Sequence, residues 1–402
     1  MSALVGERHG LGPSDDGEIS LSALEQNPYP IYRRLRDEAP VCHVPAVELT
    51  LVTRWEDVHH VARHPELFTA DVGSSPLTRT LGQNMLTVDG GEQRRIRATI
   101  DPAMRPRVVA GYAPAVIEPI AERHLAAIEP DGAGELMATY CEPVSVLALG
   151  SVMGLGDADA DTLRRWFGAL ALGGSNFESD PDKQAIADAA SAEVDDRVLP
   201  LLDRLEQEPD GSVLSDMLHV QPPDGERLSK PEVLANLKLI LLGGMQEPGH
   251  ALGIALWALL QHPDALAEVR AHPQLLDGAV EEALRWHSPV GTQTRQVTER
   301  TDIAGVTLEP GTVIAAVLAS ANQDERHWQQ PERFDIHRTG AHAAFGLGAH
   351  HCAGASLARH EVRLPLRLIL ERLPRLRTDP EQPVELSGWE FRAPLALFAR
   401  WD

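Results

Sequence analysis

Hydrophobic residues recur at helical spacing over most of the chain. The segment NPYPIYRRLRDEAP, residues 27–40, predicts a first helix that starts near Asn27 and ends before Pro40. The next residues, VCHVPAVELTLVTRW, alternate in polarity and predict a short β-hairpin, after which EDVHHVARHPELF returns to helical spacing. From about residue 92 to 290 the pattern is mostly helical, with short Gly-, Pro- and Asp-rich breaks. The predicted fold class is mainly α with a smaller β-rich portion.

Three other segments depart from this pattern. Residues 70–88 are rich in Gly, Ser, Pro and Thr and predict a long loop, which in a compact enzyme often carries function. The segment TDIAGVTLEPGTVIAAVLASA predicts paired strands that turn at Glu309-Pro310-Gly311. We expect a last long helix from about Ala353 and a strand region near Trp389 to Arg400. Because no linker separates two domains, we expect one domain over residues 23–402, preceded by a disordered tail over residues 1–22.

Composition narrows the class of protein. With 43% hydrophobic residues, the 402-residue chain can bury a large core. The formal charge of −23 argues against nucleic-acid binding, because phosphate contacts need clustered Lys and Arg. Three cysteines are too few for a disulfide framework, and the first residues lack the features of a secretion signal. No apolar run approaches the roughly twenty residues that cross a bilayer, so we expect a cytoplasmic protein without membrane contact.

The segment with the most chemistry is AAFGLGAHHCAG, residues 343–354. It places Cys352 between glycines and directly before a predicted helix, whose first N–H groups favour a thiolate. The glycines let the backbone pass close to a flat group. A thiolate at such a turn, shielded by Phe345, suits an axial ligand of haem iron.

Two alternatives stay open for this turn. Cys352 could be a small buried residue, as free cysteines commonly are. It could also bind zinc together with His350, His351 and His360. Zinc is disfavoured because no second cysteine lies at the usual short spacing and the glycines would have no purpose.

The turn resembles the haem-binding signature of the cytochrome P-450 superfamily, in its soluble bacterial members. Every fixed position of Phe-Gly-x-Gly-x-His-x-Cys-x-Gly is present, and the resemblance extends from about Asn27 to the C-terminus. It implies the P-450 fold, a trigonal-prism helical body that encloses haem b, with the Cys352 thiolate as the metal ligand. The cofactor-binding residues that it implies are Cys352, Phe345, Gly346, Gly348, His350, Gly354, Arg97, Gln93, Arg295 and His342.

Several of these positions carry a specific implied role. Arg97, Arg295, His342 and His350 match positions that hold the haem propionates, and an arginine fork suits carboxylates. Gln93 stands where the family often has a histidine.

A second resemblance concerns structure rather than cofactor binding. Glu282 and Arg285 resemble the family's Glu-x-x-Arg motif, and Arg333, in Pro-Glu-Arg-Phe, resembles the segment that supplies a second arginine. Their implied role is structural, because they would lock the coil that carries the thiolate.

The segment LLGGMQEPGH, residues 241–250, interrupts two apolar helical segments. Pro248 has no N–H and cannot bond the carbonyl of the residue four positions earlier, so we expect a kink. By resemblance, this segment crosses the oxygen-binding face of the haem. It would place Gly243 and Gly244 beside the ring, Gln246 at the family's acid position and Glu247 at its threonine position.

These four residues are the candidate catalytic set. We expect Glu247, with water, to supply the protons that O–O cleavage requires. The alternative is that its carboxylate satisfies backbone groups freed by the kink.

The resemblance implies a monooxygenase that inserts one oxygen atom from O₂ into a hydrophobic small organic molecule. The candidate pocket residues are Leu81, Met85, Gly174, Phe177, Leu242, Val290, Thr292 and Phe391. The segments GGMQEPGH, YCEPVS and GWEFR resemble the branch that removes methyl groups from methoxylated aromatics such as guaiacol. That branch lines its pocket with phenylalanines, whereas Leu81 and Gly174 fall where aromatics are expected, so a larger or non-aromatic substrate is the alternative.

Electrons for this reaction would come from NAD(P)H through a ferredoxin, ferredoxin reductase or similar partner. Such partners are often acidic, and Arg94, Arg105, Arg107 and Arg359 are candidates for a basic docking patch. Two other functions stay open at this point: a haem-thiolate peroxygenase that uses hydrogen peroxide, and a non-catalytic haem sensor or carrier.

Overall fold

Helices form most of the molecule. The computed structural model describes residues 19–73, 75–176, 179–223 and 225–402, so residues 1–18 of the predicted tail lie outside the described part. The first helix begins at Leu21, two residues before the predicted start of the domain. The helices are α1 (Leu21–Gln26), α2 (Tyr29–Glu38), α3 (Trp55–Arg63), α4 (Pro76–Leu81), α5 (Gly90–Met104), α6 (Pro106–Ile128), α7 (Glu142–Met153), α8 (Ala160–Gly174), α9 (Pro181–Gln207), α10 (Val213–His219), α11 (Lys230–Gly244), α12 (Glu247–Gln261), α13 (Pro263–Ala271), α14 (Leu276–Trp286), α15 (Leu318–Ala321) and α16 (Ala355–Arg372).

The strands are short and form a smaller, β-rich portion. They are β1 (Val41–Val44), β2 (Leu49–Val52), β3 (Phe68–Thr69), β4 (Ala133–Glu135), β5 (Thr292–Val297), β6 (Thr301–Ile303), β7 (Val306–Leu308), β8 (Val313–Val317), β9 (Arg377–Thr378), β10 (Leu386–Ser387), β11 (Ala393–Pro394) and β12 (Phe398–Arg400). A five-stranded sheet has the order β1-β2-β8-β5-β3, a second sheet has the order β4-β12-β9, and β6-β7 and β10-β11 form hairpin pairs. The predicted β1-β2 hairpin is confirmed, with Val41 opposite Val52.

The pairing of one predicted hairpin is wrong. β6 and β7 pair with each other around Ala304-Gly305, where both residues have positive φ angles. β8 follows the turn at 309–311 but pairs in parallel with β2 and antiparallel with β5. Turn residues mark both bends in the sequence, but the partner of β8 lies more than 260 residues away at Thr50, opposite Ile314.

The main hydrophobic core surrounds α12. Buried apolar residues lie on every side of this helix, which is typical of a central helix rather than a surface one. It packs against α7, α14 and α16, and α16 packs in turn along α6. The cysteine turn immediately precedes α16, so the best-packed part of the protein positions it.

The predicted break between α11 and α12 is present. α11 ends at Gly244 and α12 begins at Glu247, and the buried hydroxyl of Ser145 donates to the carbonyl oxygen of Met245 at 2.6 Å. Gly249 allows α12 to pass close to the start of α7, because a Cβ there would lie 3.0 Å from the carbonyl oxygen of Cys141. The break is therefore stabilised by specific packing and a hydrogen bond.

The segment predicted as a loop over residues 70–88 contains a helix. α4 begins at Pro76 and ends before Gly82, which has a φ of +83°. Proline in the first turn and glycine just past the end are the usual signs of a short helix, and both were present in the sequence. In the described part of the chain, helices are all too short or too polar to cross a bilayer.

Candidate active site

The cysteine turn has a backbone that requires glycine. The N–H of Cys352 donates to the carbonyl oxygen of Phe345 at 2.8 Å, which closes the turn. Gly346 and Gly348 both have a φ of +68°, and a Cβ on Gly348 would lie 2.0 Å from the carbonyl oxygen of Ala62. A side chain at that position would be excluded by strain and by collision.

Opposing effects act on the thiol of Cys352. Burial raises its pKa, whereas the N–H of Gly354 and the guanidinium group of Arg97 lower it. The carboxylate of Glu247 also raises the pKa of this thiol, and the guanidinium of Arg359 lowers it. A buried thiol in this position is favoured as a thiolate only when a metal cation binds it as well.

The ring of Phe345 is held in place by an ion-pair cluster. The Arg359 guanidinium lies 4.3 Å from the centre of the Phe345 ring and donates to Glu281 at 2.6 and 2.9 Å. Burial alone would raise the pKa of Glu281, but hydrogen bonds from His342 and Arg359 hold it at about 2. Arg359 is therefore committed to this cluster and not free for the predicted docking patch.

His342 contacts protein groups through both ring nitrogens. Its Nε2 lies 3.2 Å from Glu281, and its Nδ1 accepts the N–H of Ala344 at 3.2 Å. The propionate contact of His342 stays a prediction.

Arg295 and His350 form a buried polar region at the other side of the turn. Arg295 on β5 donates to the carbonyl oxygen of Thr294 at 2.7 Å and to no other group in the described part of the chain. Burial lowers the pKa of Arg295 to about 10, against the opposing effect of Asp89. The Nε2 of His350 lies 2.7 Å from the Asp89 carboxylate. A buried guanidinium with so few partners fits an additional anion.

The two candidate contacts on α5 hold the cysteine turn in place. Gln93 donates through Nε2 to the carbonyl oxygen of Ala349 at 2.8 Å. Arg97 donates through Nη1 to the carbonyl oxygen of His351 at 2.8 Å and through Nε to Asp101 at 2.7 Å. Arg97 keeps its Nη2 N–H groups for an anion, whereas the amide of Gln93 already has a backbone partner.

The kink between α11 and α12 faces open space. Gly243 is exposed although its helix is mostly buried, and a Cβ there would meet no atom within 4 Å. A Cβ on Gly244 would lie 3.1 Å from Leu149, so only the first of the two glycines faces the opening. Gln246 is half-buried and directly precedes α12.

Glu247 is buried at this kink, 8% exposed. Burial raises its pKa to about 7, and backbone N–H groups of Glu247 and Gln246 act in the opposite direction. The carboxyl group of Glu247 is thus hydrogen-bonded to the backbone of the kink, as the alternative interpretation required. Its other oxygen, Oε2, has no hydrogen-bond partner among the described residues.

The predicted Glu-x-x-Arg pair forms, but its second arginine is Arg338. Arg285 donates to both oxygens of Glu282 at 2.7 and 2.8 Å, and both residues are buried. Arg338 donates through Nε to the same two oxygens, each at 3.1 Å. Arg333 is exposed and donates to Gln330 instead, so its predicted role is wrong.

Four of the candidate pocket residues, Leu81, Met85, Gly174 and Leu242, lie in or against one aliphatic wall. This wall consists of the half-buried side chains of Leu77, Met85, Leu86 and Leu242, which pack on the buried cluster of Leu81, Leu170 and Leu239. Gly174 belongs to it as well, because a Cβ there would lie 3.3 Å from Leu77 and 3.4 Å from Leu242. Leu81 is 3% exposed and belongs to the buried cluster on which the wall packs, so its place in the pocket stays a prediction.

The remaining pocket candidates lie near the C-terminal strands. Val290 and Phe391 form an isolated β-bridge, Thr292 begins β5, and Phe391 is half exposed. Phe177 lies outside the described residues.

Two residues of the site escaped sequence reasoning. Asp89 accepts from Thr69 at 2.6 Å and from Ala70 at 2.8 Å and contacts His350, but it was not among the candidate site residues. Arg338 lies five residues beyond Arg333, and no local pattern distinguishes which of the two reaches Glu282.

The donor set fits a haem held through sulfur. Cys352 supplies one thiol, Arg295 supplies a buried cation that lacks an anion, and Gly243 leaves open space at the kink between α11 and α12. Zinc finds no support, since His350 is bound to Asp89, His360 to the Ser356 carbonyl, and the described residues contain no suitable cluster of ligands. The fold and the site define a haem-thiolate protein.

Comparisons with known proteins give the family. The sequence profile described as Cytochrome P450 matches residues 184–388. The chain is 34% identical to cytochrome P450 monooxygenase PikC of Streptomyces venezuelae, over 95% of this chain and 94% of that protein. It is 32% identical to vitamin D(3) 25-hydroxylase of Pseudonocardia autotrophica, over 86% and 87% of the two chains. The solved structure of cytochrome P450 TbtJ1 superposes with a TM-score of 0.85 at 29% identity and covers 96% of this chain and all of that one.

This chain belongs to the cytochrome P450 family and has its monooxygenase fold. The predicted fold class and enzyme class are confirmed. The comparisons do not confirm the O-demethylating branch.

Proposed function

We propose that this cytochrome P450 hydroxylates a bulky, mainly aliphatic organic molecule. The observation that supports the proposal is the aliphatic wall, in which four half-buried Leu and Met side chains pack together, with Gly174 against them and open space at Gly243. Because the hydrophobic effect has no preferred direction, an apolar wall selects a ligand by its shape and volume.

The aliphatic wall favours hydroxylation over O-demethylation of a guaiacol-type aromatic. A small methoxylated ring needs aromatic neighbours to fix its orientation, and Phe391 is the single aromatic among the described pocket candidates. One relative, vitamin D(3) 25-hydroxylase, is named for the hydroxylation of a largely aliphatic molecule. This relationship supports the same substrate class here.

A ligand panel tests the substrate class. We expect progesterone and a macrocyclic lactone to shift the haem spin state at concentrations at least about tenfold below those of guaiacol and veratrole, since each further buried CH₂ contributes about 0.8 kcal/mol. Gly243→Leu, which fills the open space, should weaken the bulky ligands most. Tighter binding of the methoxyarenes, with formaldehyde released during turnover, would replace this proposal by O-demethylation.

The site residues would have different roles in the reaction. Cys352 would hold the haem iron, and Arg295, His350 and Arg97 would hold its carboxylates. The bound haem supplies the activation of O₂. The protein positions the substrate against the wall, limits water and delivers protons.

We assign proton delivery to Glu247. Near neutral pH a carboxyl group with a pKa of about 7 is present in both its acid and base forms, so it can give up a proton and take one back from water. Gln246, at the family's acid position, carries an amide that cannot ionise. The free Oε2 of Glu247 is the atom that would exchange the proton.

Replacing Glu247 with glutamine tests this role. We expect turnover to fall about 10- to 100-fold, at the low end for general acid catalysis because water still has access, and more NADH to be consumed per product. In the wild type the acid form is lost as pH rises through about 7, so the rate should decline above that pH. Glu247→Gln should lack this inflection, and Glu247→Asp should restore part of the activity. Unchanged coupling and an unchanged pH profile in Glu247→Gln would exclude the role.

Electron supply is the third part of the proposal. We propose that NAD(P)H reduces this protein through a ferredoxin-type partner. Arg94, Arg105 and Arg107 support a docking patch beside α5, because within the described ranges none of them has an acidic partner. Product formation with hydrogen peroxide alone, at rates equal to those with a reductase system, would instead indicate a peroxygenase.

A further inference from the structure

Asn236 is a buried polar residue in an apolar helix. It lies on α11 with no exposed surface, between the buried residues Ala235 and Leu237. A buried amide is unfavourable unless its donors and acceptor are bonded. Its Nδ2 donates to the carbonyl oxygen of Glu232 at 2.8 Å, one turn earlier on the same helix.

The other end of this amide reaches a distant segment. The Oδ1 of Asn236 accepts the backbone N–H of Met85 at 2.9 Å, across 151 residues of sequence. This bond docks the turn over residues 82–87 onto α11. A second contact lies next to it, since a Cβ on Gly82 would be 3.3 Å from the Cβ of Ala235.

The docked turn is rigid in itself. The N–H of Asn84 donates to Thr87 Oγ1 at 3.0 Å, and the N–H of Leu86 donates to Asn84 Oδ1 at 3.0 Å. Asn84 also donates through Nδ2 to the carbonyl oxygen of Gly82 at 2.9 Å. Because the turn is held internally, the bond at Met85 sets the position of the whole turn.

This position matters for the aliphatic wall. The turn supplies Met85 and Leu86, whereas α11 supplies Leu242 less than two turns beyond Asn236. The Asn236–Met85 bond therefore fixes the two sides of the wall relative to each other.

We propose that Asn236 is a positioning residue for substrate recognition, which sets the width of the aliphatic wall by docking the 82–87 turn onto α11. The inference rests on the proposed function, because it gives the wall the role of selecting aliphatic ligands. Asn236 does not touch the substrate; its effect passes through Met85 and Leu86.

Asn236→Leu, which keeps the size of the side chain and removes the acceptor, tests the proposal in the haem-loaded full-length protein. Backbone hydrogen exchange at Met85 should accelerate at least about fivefold, the change that corresponds to one typical hydrogen bond. Exchange in α16 should stay as in the wild type. Asn236→Asp retains an acceptor oxygen and should restore slow exchange at Met85.

Ligand binding supplies a second readout that needs no known substrate. Imidazole and N-dodecylimidazole bind haem iron through the same ring, and only the alkyl chain of the second reaches the wall. In Asn236→Leu the ratio of the affinity for N-dodecylimidazole to the affinity for imidazole should fall about fivefold, because one hydrogen bond that positions the wall is lost. The affinity for imidazole itself should stay unchanged.

Thr99→Val is the matched control. Thr99 is equally buried, on α5, and within the described residues its hydroxyl bonds only to the carbonyl oxygen of Ile96 on the same helix. It should lower stability without changing exchange at Met85 or the ratio of the two affinities. The positioning role would be overturned if Asn236→Leu left the hydrogen-exchange rate at Met85 unchanged. It would also be overturned if this variant lost affinity for both imidazole ligands by the same factor. If no bulky ligand of the substrate panel bound, but Asn236→Leu still reduced the preference for N-dodecylimidazole, only the proposed substrate class would be overturned.

Discussion

Replacing Cys352 with serine is expected to remove the absorption band of thiolate-ligated ferrous carbon-monoxide haem and essentially all monooxygenation. A hydroxyl group does not ionise near neutral pH and cannot supply the electron density of a thiolate. The chain should still fold, because exchanging a buried thiol for a hydroxyl costs about 1–3 kcal/mol. Carbon-monoxide difference spectra, product analysis and urea unfolding of the same preparation measure the three quantities.

Cys42→Ser is the control for this experiment. Cys42 lies half-buried on β1, where it packs against a hydrophobic cluster, and its thiol donates to the carbonyl oxygen of the next residue, His43, at 3.5 Å. This variant should keep the thiolate band and wild-type turnover. If Cys352→Ser retained the thiolate band, another residue would have to hold the iron and the assignment of the site would fail.

The parts of the site that sequence predicts well are those whose chemistry is local. The glycines around Cys352 are needed within a few residues of it, by positive φ angles and by the close approach of Ala62. The break at Pro248 follows from a missing N–H within one helical turn. Such features can be inferred from a short segment because the physical requirement acts within that segment.

Features that depend on distant contacts were predicted less well. His342 lies three residues before the signature, but its partner is Glu281, on a helix some sixty residues earlier. β8 pairs with β2 across most of the chain, although the nearby strand β7 was the simpler candidate. In both cases the local pattern allows several partners, and only the packed fold selects one.

Two polar residues within the apolar helix α11 could have been used in the sequence analysis to predict long-range contacts. Asn236 and Lys238 interrupt an apolar helix, and each binds a different neighbouring segment. Asn236 binds the 82–87 turn, and Lys238 donates to Asp195 and Ser191 on α9, each at 2.8 Å. Since an unpaired polar group in a buried helix is costly, each such residue predicts a specific partner, although not its identity.

The second prediction with a large expected effect concerns the stability of the buried cluster of Glu282, Arg285 and Arg338. Arg338→Gln is expected to lower the free energy of unfolding of the haem-loaded protein by about 1.5–3 kcal/mol, the range for a hydrogen bond to a charged group. It removes two bonds to the buried carboxylate and three to backbone carbonyls of the coil before the cysteine turn, at Gln329, Gln330 and Arg333. Glu282→Gln should be more severe, about 3–5 kcal/mol, because it leaves two arginines facing a neutral side chain.

Arg333→Gln is the matched control, and it distinguishes the structure from the sequence prediction. The side chain of Arg333 is exposed and, in the part of the chain that the structure describes, bonds only to Gln330. We therefore expect a change in the free energy of unfolding within about 0.5 kcal/mol, as for other surface substitutions. Urea unfolding, followed by haem absorbance and by circular dichroism, measures all three variants. Because the coil joins this cluster to Cys352, the haem signal of Arg338→Gln should be lost at lower urea than the helical signal. Equal stability of the Arg333 and Arg338 variants would show that the coil is held by its backbone rather than by the second arginine.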